Sequence, residues 1–281
     1  MRTAVIITTY NRPDALAAVL GGYFAQDAHD FEVVVADDGS TAETRELIGD
    51  LARRAPFPLR HVWQEDRGFR AGAARNRALA GTAADYVIFS DGDCVPPAEF
   101  VARHRALAEP GYFVAGNRIL LSEAFTTSVL RERVPIHRWR HGQWLAAWLR
   151  RDVNRFLPLL ALPDGAFRKR SPLKWEGVKT CNLAAWRTDL ERVNGFDESY
   201  SGWGLEDSDL VIRLAHAGVR HKSARFAAPV FHLWHREWDR GRLAENQNRL
   251  DDILASRRIE AIVGLREVAA AATEIRSVQK H

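Results

Sequence analysis

The chain has 281 residues, 46% of them apolar and 27% charged, enough for one large domain or two small ones around a substantial core. A net charge of +4 implies no general affinity for nucleic acid, and no apolar run nears the ~20 residues of a membrane span. The only two cysteines, Cys94 and Cys181, make no disulfide framework and read as packed or loop thiols of a reducing cytoplasm.

Residues 4–10 form a run of strand formers. Asn11-Arg12-Pro13 breaks it too early for a signal peptide and opens a helix with Pro near its first position; Leu16, Val19 and Leu20 share one face. Residues 31–36 read as a second strand ending in Asp37-Asp38-Gly39-Ser40. Ser40 and Glu43 have capping-box spacing for a helix to about Leu51. A third strand over 59–63, a helix over 71–79 and a fourth strand over 86–89 follow. Such alternation predicts an α/β fold with a mostly parallel sheet. Ligands of such sheets bind at the carboxyl ends of the strands. Thr9-Tyr10-Asn11, Asp37-Asp38 and Asp91-Gly92-Asp93 all fall at such ends, which points to one site.

In extended chain, residues two apart point the same way, so Asp91 and Asp93 share a side. Gly92 adds no bulk and lets backbone approach a ligand. Two hard oxygen donors suit Mg²⁺ or Mn²⁺; taken alone, the tripeptide serves equally as an acidic turn.

Residues 97–107 read as helix and 112–121 as strand. The regular alternation is then lost over 122–175, a basic stretch with Trp139, Trp144, Trp148 and Trp175. It is either a surface for an anionic headgroup or lipid-linked phosphate, or a solvated helical insert with core tryptophans. No recognition motif assigns it to nucleic acid. Residues 177–185 read as strand and 188–193 as a short helix. Gly202-Trp203-Gly204-Leu205 leads into Glu206-Asp207-Ser208-Asp209 at the start of a helix stopped by Gly218. Acids there complement the helix dipole, but three exceed what capping needs. Residues 228–233 read as strand, with His232 and His235 near its end and Trp238 beyond. The tail from Arg242 reads as an amphipathic helix carrying Leu243, Leu250, Leu254 and Ile262.

Assembled, these motifs resemble family 2 glycosyltransferases of the GT-A fold. Thr8-Thr9-Tyr10-Asn11-Arg12, Val35-Ala36-Asp37-Asp38-Gly39-Ser40, Arg67-Gly68-Phe69, Ala73-Ala74-Arg75-Asn76 and Asp91-Gly92-Asp93 are similar to the family's nucleotide-sugar half. Gly195-Phe196-Asp197 and the run from Trp203 to Asp209 resemble a galactosyltransferase-like module of chondroitin-type polymerases and β-1,4-galactosyltransferases. The resemblance implies one continuous domain: a nucleotide-sugar half over 1–121, an insert over 122–175, an acceptor and catalytic half over 176–238 and a terminal helix over 239–281. It implies that Asp38 holds uracil or ribose with Asp37 beside it, that Thr9 and Arg12 lie near base and phosphate and Arg75 by the diphosphate, and that Tyr10 and Arg67 are further substrate- or nucleotide-binding residues. Asp91 and Asp93 become the DXD motif, Asp93 binding Mn²⁺ or Mg²⁺ with His235 and His232. Asp207 becomes the catalytic base, Glu206 a catalytic-site contact to acceptor or donor sugar, and Trp203 a flat apolar face for the sugar, with Gly204 beside it; the Glu-Asp-Ser-Asp run leaves Glu206 and Asp209 as other candidate bases. The implied reaction is inverting transfer from a UDP-sugar to a saccharide or lipid-linked acceptor, in bacterial surface polysaccharide or lipopolysaccharide synthesis on the cytoplasmic side, with the insert as a peripheral membrane contact. The other readings are a sugar-phosphate nucleotidyltransferase, which lacks its expected glycine-rich loop here, and a nucleotide-sugar-binding domain without chemistry.

Overall fold

The computed structural model describes residues 1–236 and 241–268. Trp238 and most of the tail beyond Leu265 lie outside them. The first half alternates β1 (Thr3–Thr9), α1 (Pro13–Phe24), β2 (Phe31–Asp37), α2 (Ala42–Ala52), β3 (Leu59–Trp63), α3 (Ala71–Ala80) and β4 (Tyr86–Asp91). Then come β5 (Cys94–Val95), α4 (Phe100–Leu107), β6 (Tyr112–Ala115) and β7 (Arg118–Leu120). The insert holds α5 (Glu123–Glu132) and α6 (His141–Leu149). The chain returns through β8 (Asn182–Trp186), α7 (Arg187–Arg192), α8 (Glu206–His216), β9 (Arg220–Ser223), β10 (Val230–His232) and α9 (Leu243–Ala255).

A seven-stranded sheet runs in the order β3-β2-β1-β4-β8-β6-β9, and a three-stranded sheet in the order β5-β10-β7. In the large sheet only β8 runs against its neighbours. The strand pleat divides the core. Val5 and Ile7 pack under α1 with Leu16, Val19 and Leu20. Ile6, between them, faces the opposite side with Ala74 and Ala78 of α3 and Leu210 and Leu214 of α8.

Several local expectations are corrected. Ser40 does not cap α2: Thr41 holds that position, while the Ser40 hydroxyl accepts the Asn11 amide at 2.9 Å. The helix expected from Pro97 starts at Phe100. The strand expected over 112–121 is two strands in different sheets. It breaks at Gly116, where a Cβ would lie 2.3 Å from the Asn182 side chain, so the two chains cross too closely for any other residue. The strand expected from Gly177 starts only at Asn182. β9, with Arg, His and Lys in its four residues, carried no strand signal. Helix α9 buries Leu250 and Ile253, but Leu254 and Ile262 are exposed, Ile262 beyond the helix end. Both cysteines are free and buried. Gly92 makes room for its own sheet: a Cβ there would meet the Thr9 hydroxyl at 2.9 Å.

Candidate active site

Two strand ends, those of β2 and β4, carry the acids. The register sets Thr9 beside Asp37 and Thr8 beside Asp91. Asp38 follows β2 and Asp91 closes β4 with β1 between them, so their backbones stand two strand spacings apart, about 10 Å. Asp37 is fully buried and structural, taking the Ser40 amide at 2.8 Å and the His61 ring at 2.8 Å. Asp38 takes the Gln64 amide at 2.5 Å and the Arg70 backbone at 2.6 Å. Desolvation raises its carboxyl above the usual range, against the pull of these bonds. It lines a cleft of about 260 Å³ with Tyr10, Phe69, Trp203 and Arg242. The Tyr10 hydroxyl donates to Asp66 at 2.9 Å.

Arg75 ties the two halves of the chain together. Its position on α3 sends a buried guanidinium across the sheet end. It donates to Thr8 Oγ1 at 2.9 Å and Asp91 at 3.0 Å, and reaches Glu206 at 3.3 Å and Asp207 at 3.8 Å. Burial works against its charge, but Asp91, Asp207 and Glu206 outweigh it. Asp91 therefore shares one cluster with Glu206 and Asp207, and Asp93 is near enough for its charge to act on Asp91. Desolvation lifts the Asp91 carboxyl to about 6 despite Arg75, with Asp93 and Asp207 adding to the rise. Desolvation and then the Asp207 charge lift Glu206 to about 7.

Glu206 and Asp207 start α8 after a reversal that the flexible Gly202 and Gly204 permit, at φ +74° and +103°. The Gly204 carbonyl is held by Asn246 of α9 at 3.0 Å. Thr180 Oγ1 donates to Asp207 at 2.5 Å, and Lys179 lies 4.0 Å away. Asp209 points elsewhere. It is fully buried against Arg213 at 2.6 Å, and Arg213 also clamps the carbonyls of Val193 and Gly195. This ties Asp209 to a structural clamp rather than to the cluster.

On the other side of β4, antiparallel pairing sets His232 beside Cys94. His232 Nε2 lies 3.7 Å and His235 Nε2 3.3 Å from Asp93 Oδ2. Asp93, Cys94 and His232 bring ligand atoms within 4.8 Å of one another, a donor set a divalent ion can use; His235 approaches Asp93 but is not part of that group. Desolvation lowers the His232 pKa and so favours the neutral, ligating ring. Burial raises the Cys94 thiol pKa well above the usual value, and the thiol donates to Asp93 at 3.3 Å, orienting that carboxylate.

Other expected residues fall outside this cluster. Arg67 is largely exposed and pairs with Glu65 at 2.6 Å; Arg12 pairs with Asp14 at 3.0 Å. Thr9 is buried under Gly92. Sequence reasoning missed Thr180, Lys179 and Arg242. None sits in a readable motif; only tertiary packing brings them in.

Residues 4–167 match the family model described as glycosyl transferase family 2, and residues 165–236 match that of the N-terminal domain of galactosyltransferase. The chain is 30% identical to validoxylamine A glucosyltransferase of Streptomyces hygroscopicus subsp. jinggangensis, over 77% of this chain and 52% of the relative. It is 27% identical to hyaluronan synthase of Pasteurella multocida, over 78% of this chain and 23% of that one. The chain thus spans about half the first relative and under a quarter of the second. The crystal structure of S. aureus TarS 1-349 in complex with UDP shares the fold at a TM-score of 0.62 and 16% identity, covering 95% of this chain and 68% of that one.

Proposed function

The chain belongs to glycosyl transferase family 2, and we propose that it moves a hexose or N-acetylhexosamine from a UDP-sugar to a saccharide or lipid-linked acceptor, inverting the anomeric carbon. The observation that carries this is the Arg75-centred cluster, which joins Asp91 at the end of β4 to the acids at the start of α8. In this reading residues 1–121 take the donor and 176–238 supply acceptor contacts and the base. The nucleoside lies in the cleft lined by Tyr10, Asp38 and Phe69, Asp38 meeting uracil or ribose. Trp203 gives the sugar a flat apolar face.

Asp93, His232 and His235 would hold Mn²⁺ or Mg²⁺. When bound, such an ion acts as a Lewis acid that neutralises charge developing on a leaving diphosphate. The chain's own part is to activate the acceptor's nucleophile. A sugar hydroxyl is weak until a carboxylate within hydrogen-bond reach takes its proton. Asp207 fills that role, with Thr180 fixing its orientation. Glu206, its carboxyl pKa raised by burial and by the Asp207 charge, hydrogen-bonds sugar. One base suffices for a single inverting displacement; retention by double displacement would need a carboxylate nucleophile as well. The proposed setting is bacterial surface polysaccharide or lipopolysaccharide synthesis at the inner face of the membrane.

The direct test is a panel of nucleotide sugars with Mn²⁺, read as release of nucleoside diphosphate. Slow metal-dependent hydrolysis of a UDP-sugar supports the reading; release no faster than in buffer for every donor refutes it. The metal assignment has a separate check in calorimetry with UDP. Asp93→Ala should lose the manganese-dependent part of the affinity, by more than the about 10–100-fold that outer-shell partners alone command. Equal affinity in wild type and variant would remove Asp93 from the ion.

A further inference from the structure

Helix α6 is apolar on its outward face as well as on its inward one. A helix on a protein surface turns apolar residues inward and polar ones out. Here Trp144 and Ala147 face inward, and the Trp144 ring stacks on Phe231 of β10 at 4.0 Å. Leu145, Trp148 and Leu149, on the outward arc, are 40%, 44% and 69% exposed. The His141 ring meets the Leu159 carbonyl at 3.2 Å, which brings the exposed Leu157 and Leu160 alongside. Scattered single apolar residues on a surface need no explanation; a contiguous patch does.

Charge identifies what the patch meets. Residues 122–175 carry eleven Lys and Arg against Glu123, Glu132, Asp152 and Asp164, a surplus of seven. The whole chain's surplus is four, so everything outside the insert is net acidic. Arg138 and Arg140 precede α6, and Arg150 and Arg151 end it, all exposed. Arg138, Arg140 and Arg151 have no ion-pair partner among the described residues; Arg150 is held by Asp152 at 2.8 Å. An exposed apolar helix face bracketed by arginines is the pattern of a helix lying in a bilayer interface. At nine residues, about 14 Å, α6 can lie in that plane but not cross it. A second copy is the poorer occupant, because a twofold contact sets the same patch against itself and brings like charges together.

We infer that the insert docks this protein onto an anionic bilayer through the outward face of α6. Trp144 and Phe231 link that face to β10, whose last residue is His232. The helix that would meet lipid thus packs directly on the strand that ends at His232, which suits an acceptor carried on a lipid. This deepens the lipid-linked form of the proposed reaction. Vesicle binding needs no turnover, so the two ideas fail separately.

The test is co-sedimentation of the full chain with phosphatidylcholine vesicles, with and without about a quarter phosphatidylglycerol, alongside light scattering of the chain alone. Each basic residue near an anionic surface is worth about fivefold in partitioning, so two or more engaged arginines predict at least about tenfold preference for the anionic vesicles, lost near 0.5 M salt as the Debye length contracts. The Trp148→Ser/Leu149→Asp double variant should cut binding by about tenfold or more, and Arg150→Glu/Arg151→Glu should abolish the lipid-charge preference. All four positions are exposed, and unchanged circular dichroism confirms the fold. Binding indifferent to lipid charge, equal binding of wild type and variants, or no binding at low salt with a dimer in its place overturns the inference.

Discussion

Asp207→Asn is expected to reduce sugar transfer about 10²–10⁴-fold, the usual worth of a general base, while UDP affinity measured with Mn²⁺ stays at the wild-type value. The substitution is nearly isosteric. Its oxygen still accepts the Thr180 hydroxyl that stands 2.5 Å from Asp207, so what is lost is basicity and charge. Glu206→Gln separates the neighbours: a residue that only contacts sugar should raise KM more than it lowers kcat. Thr180→Val leaves the Asp207 carboxylate in place without its orienting donor. It should lower kcat alone, by less than Asp207→Asn does, with KM unchanged. Asp207→Asn turning over at the wild-type rate would take the base role from Asp207, and the effect moving to Glu206→Gln would hand it over. Asp209→Asn should act differently, by lowering stability, because Asp209 is buried against Arg213 and touches nothing in the cluster.

The first half of the fold was legible because its signals are local. β1, β2 and β4 are apolar runs stopped by polar turn residues, and a parallel sheet then forces their carboxyl ends together. That logic was enough to put Asp38 and Asp91 on one edge. It failed where a distant contact decides local structure. Gly116 breaks a strand because the Asn182 side chain passes within van der Waals contact of it. His232 reaches Asp93 only through pairing with Cys94. The insert's tryptophans divide between both earlier readings: Trp144 is core, Trp139 and Trp175 are half-buried, and Trp148 is exposed. Arg75 is the clearest case. The resemblance places it by a diphosphate; no local signal shows that folding also supplies it with Asp91, Glu206 and Asp207 as partners.

Arg75→Met is therefore expected to be the most destabilising single change in the site. Removing one partner from a buried charge cluster leaves the others uncompensated, typically at 3–5 kcal/mol. Asp91 and Glu206 titrate at about 6 and about 7 even with Arg75 beside them; without it both rise further. A carboxyl whose folded pKa exceeds its unfolded value favours folding below the unfolded pKa, and that advantage is lost as pH rises through the folded pKa. The variant's deficit should accordingly be largest above pH 7 and shrink on acidification toward pH 5, as the folded cluster takes up protons. Denaturant melts of the metal-free protein at several pH values measure this directly. The wild type carries a milder form of the same cost at Glu206. A shift from 4.5 to about 7 corresponds to roughly 3 kcal/mol, so metal-free Glu206→Gln should be more stable than wild type at pH 8 and indistinguishable from it near pH 4. Combining the two changes should recover part of what Arg75→Met loses, because contacting residues do not contribute additively. A pH-independent deficit in Arg75→Met would mean that Arg75 acts through packing on Phe196, whose ring it covers at 5.3 Å, and not through the acids. The chemistry explains why the cost is retained. In the proposed reaction, carboxylates whose pKa burial has raised, held by one cation, would exchange protons and charge with an arriving substrate, and a cluster relaxed by substitution would be more stable and less able to do so.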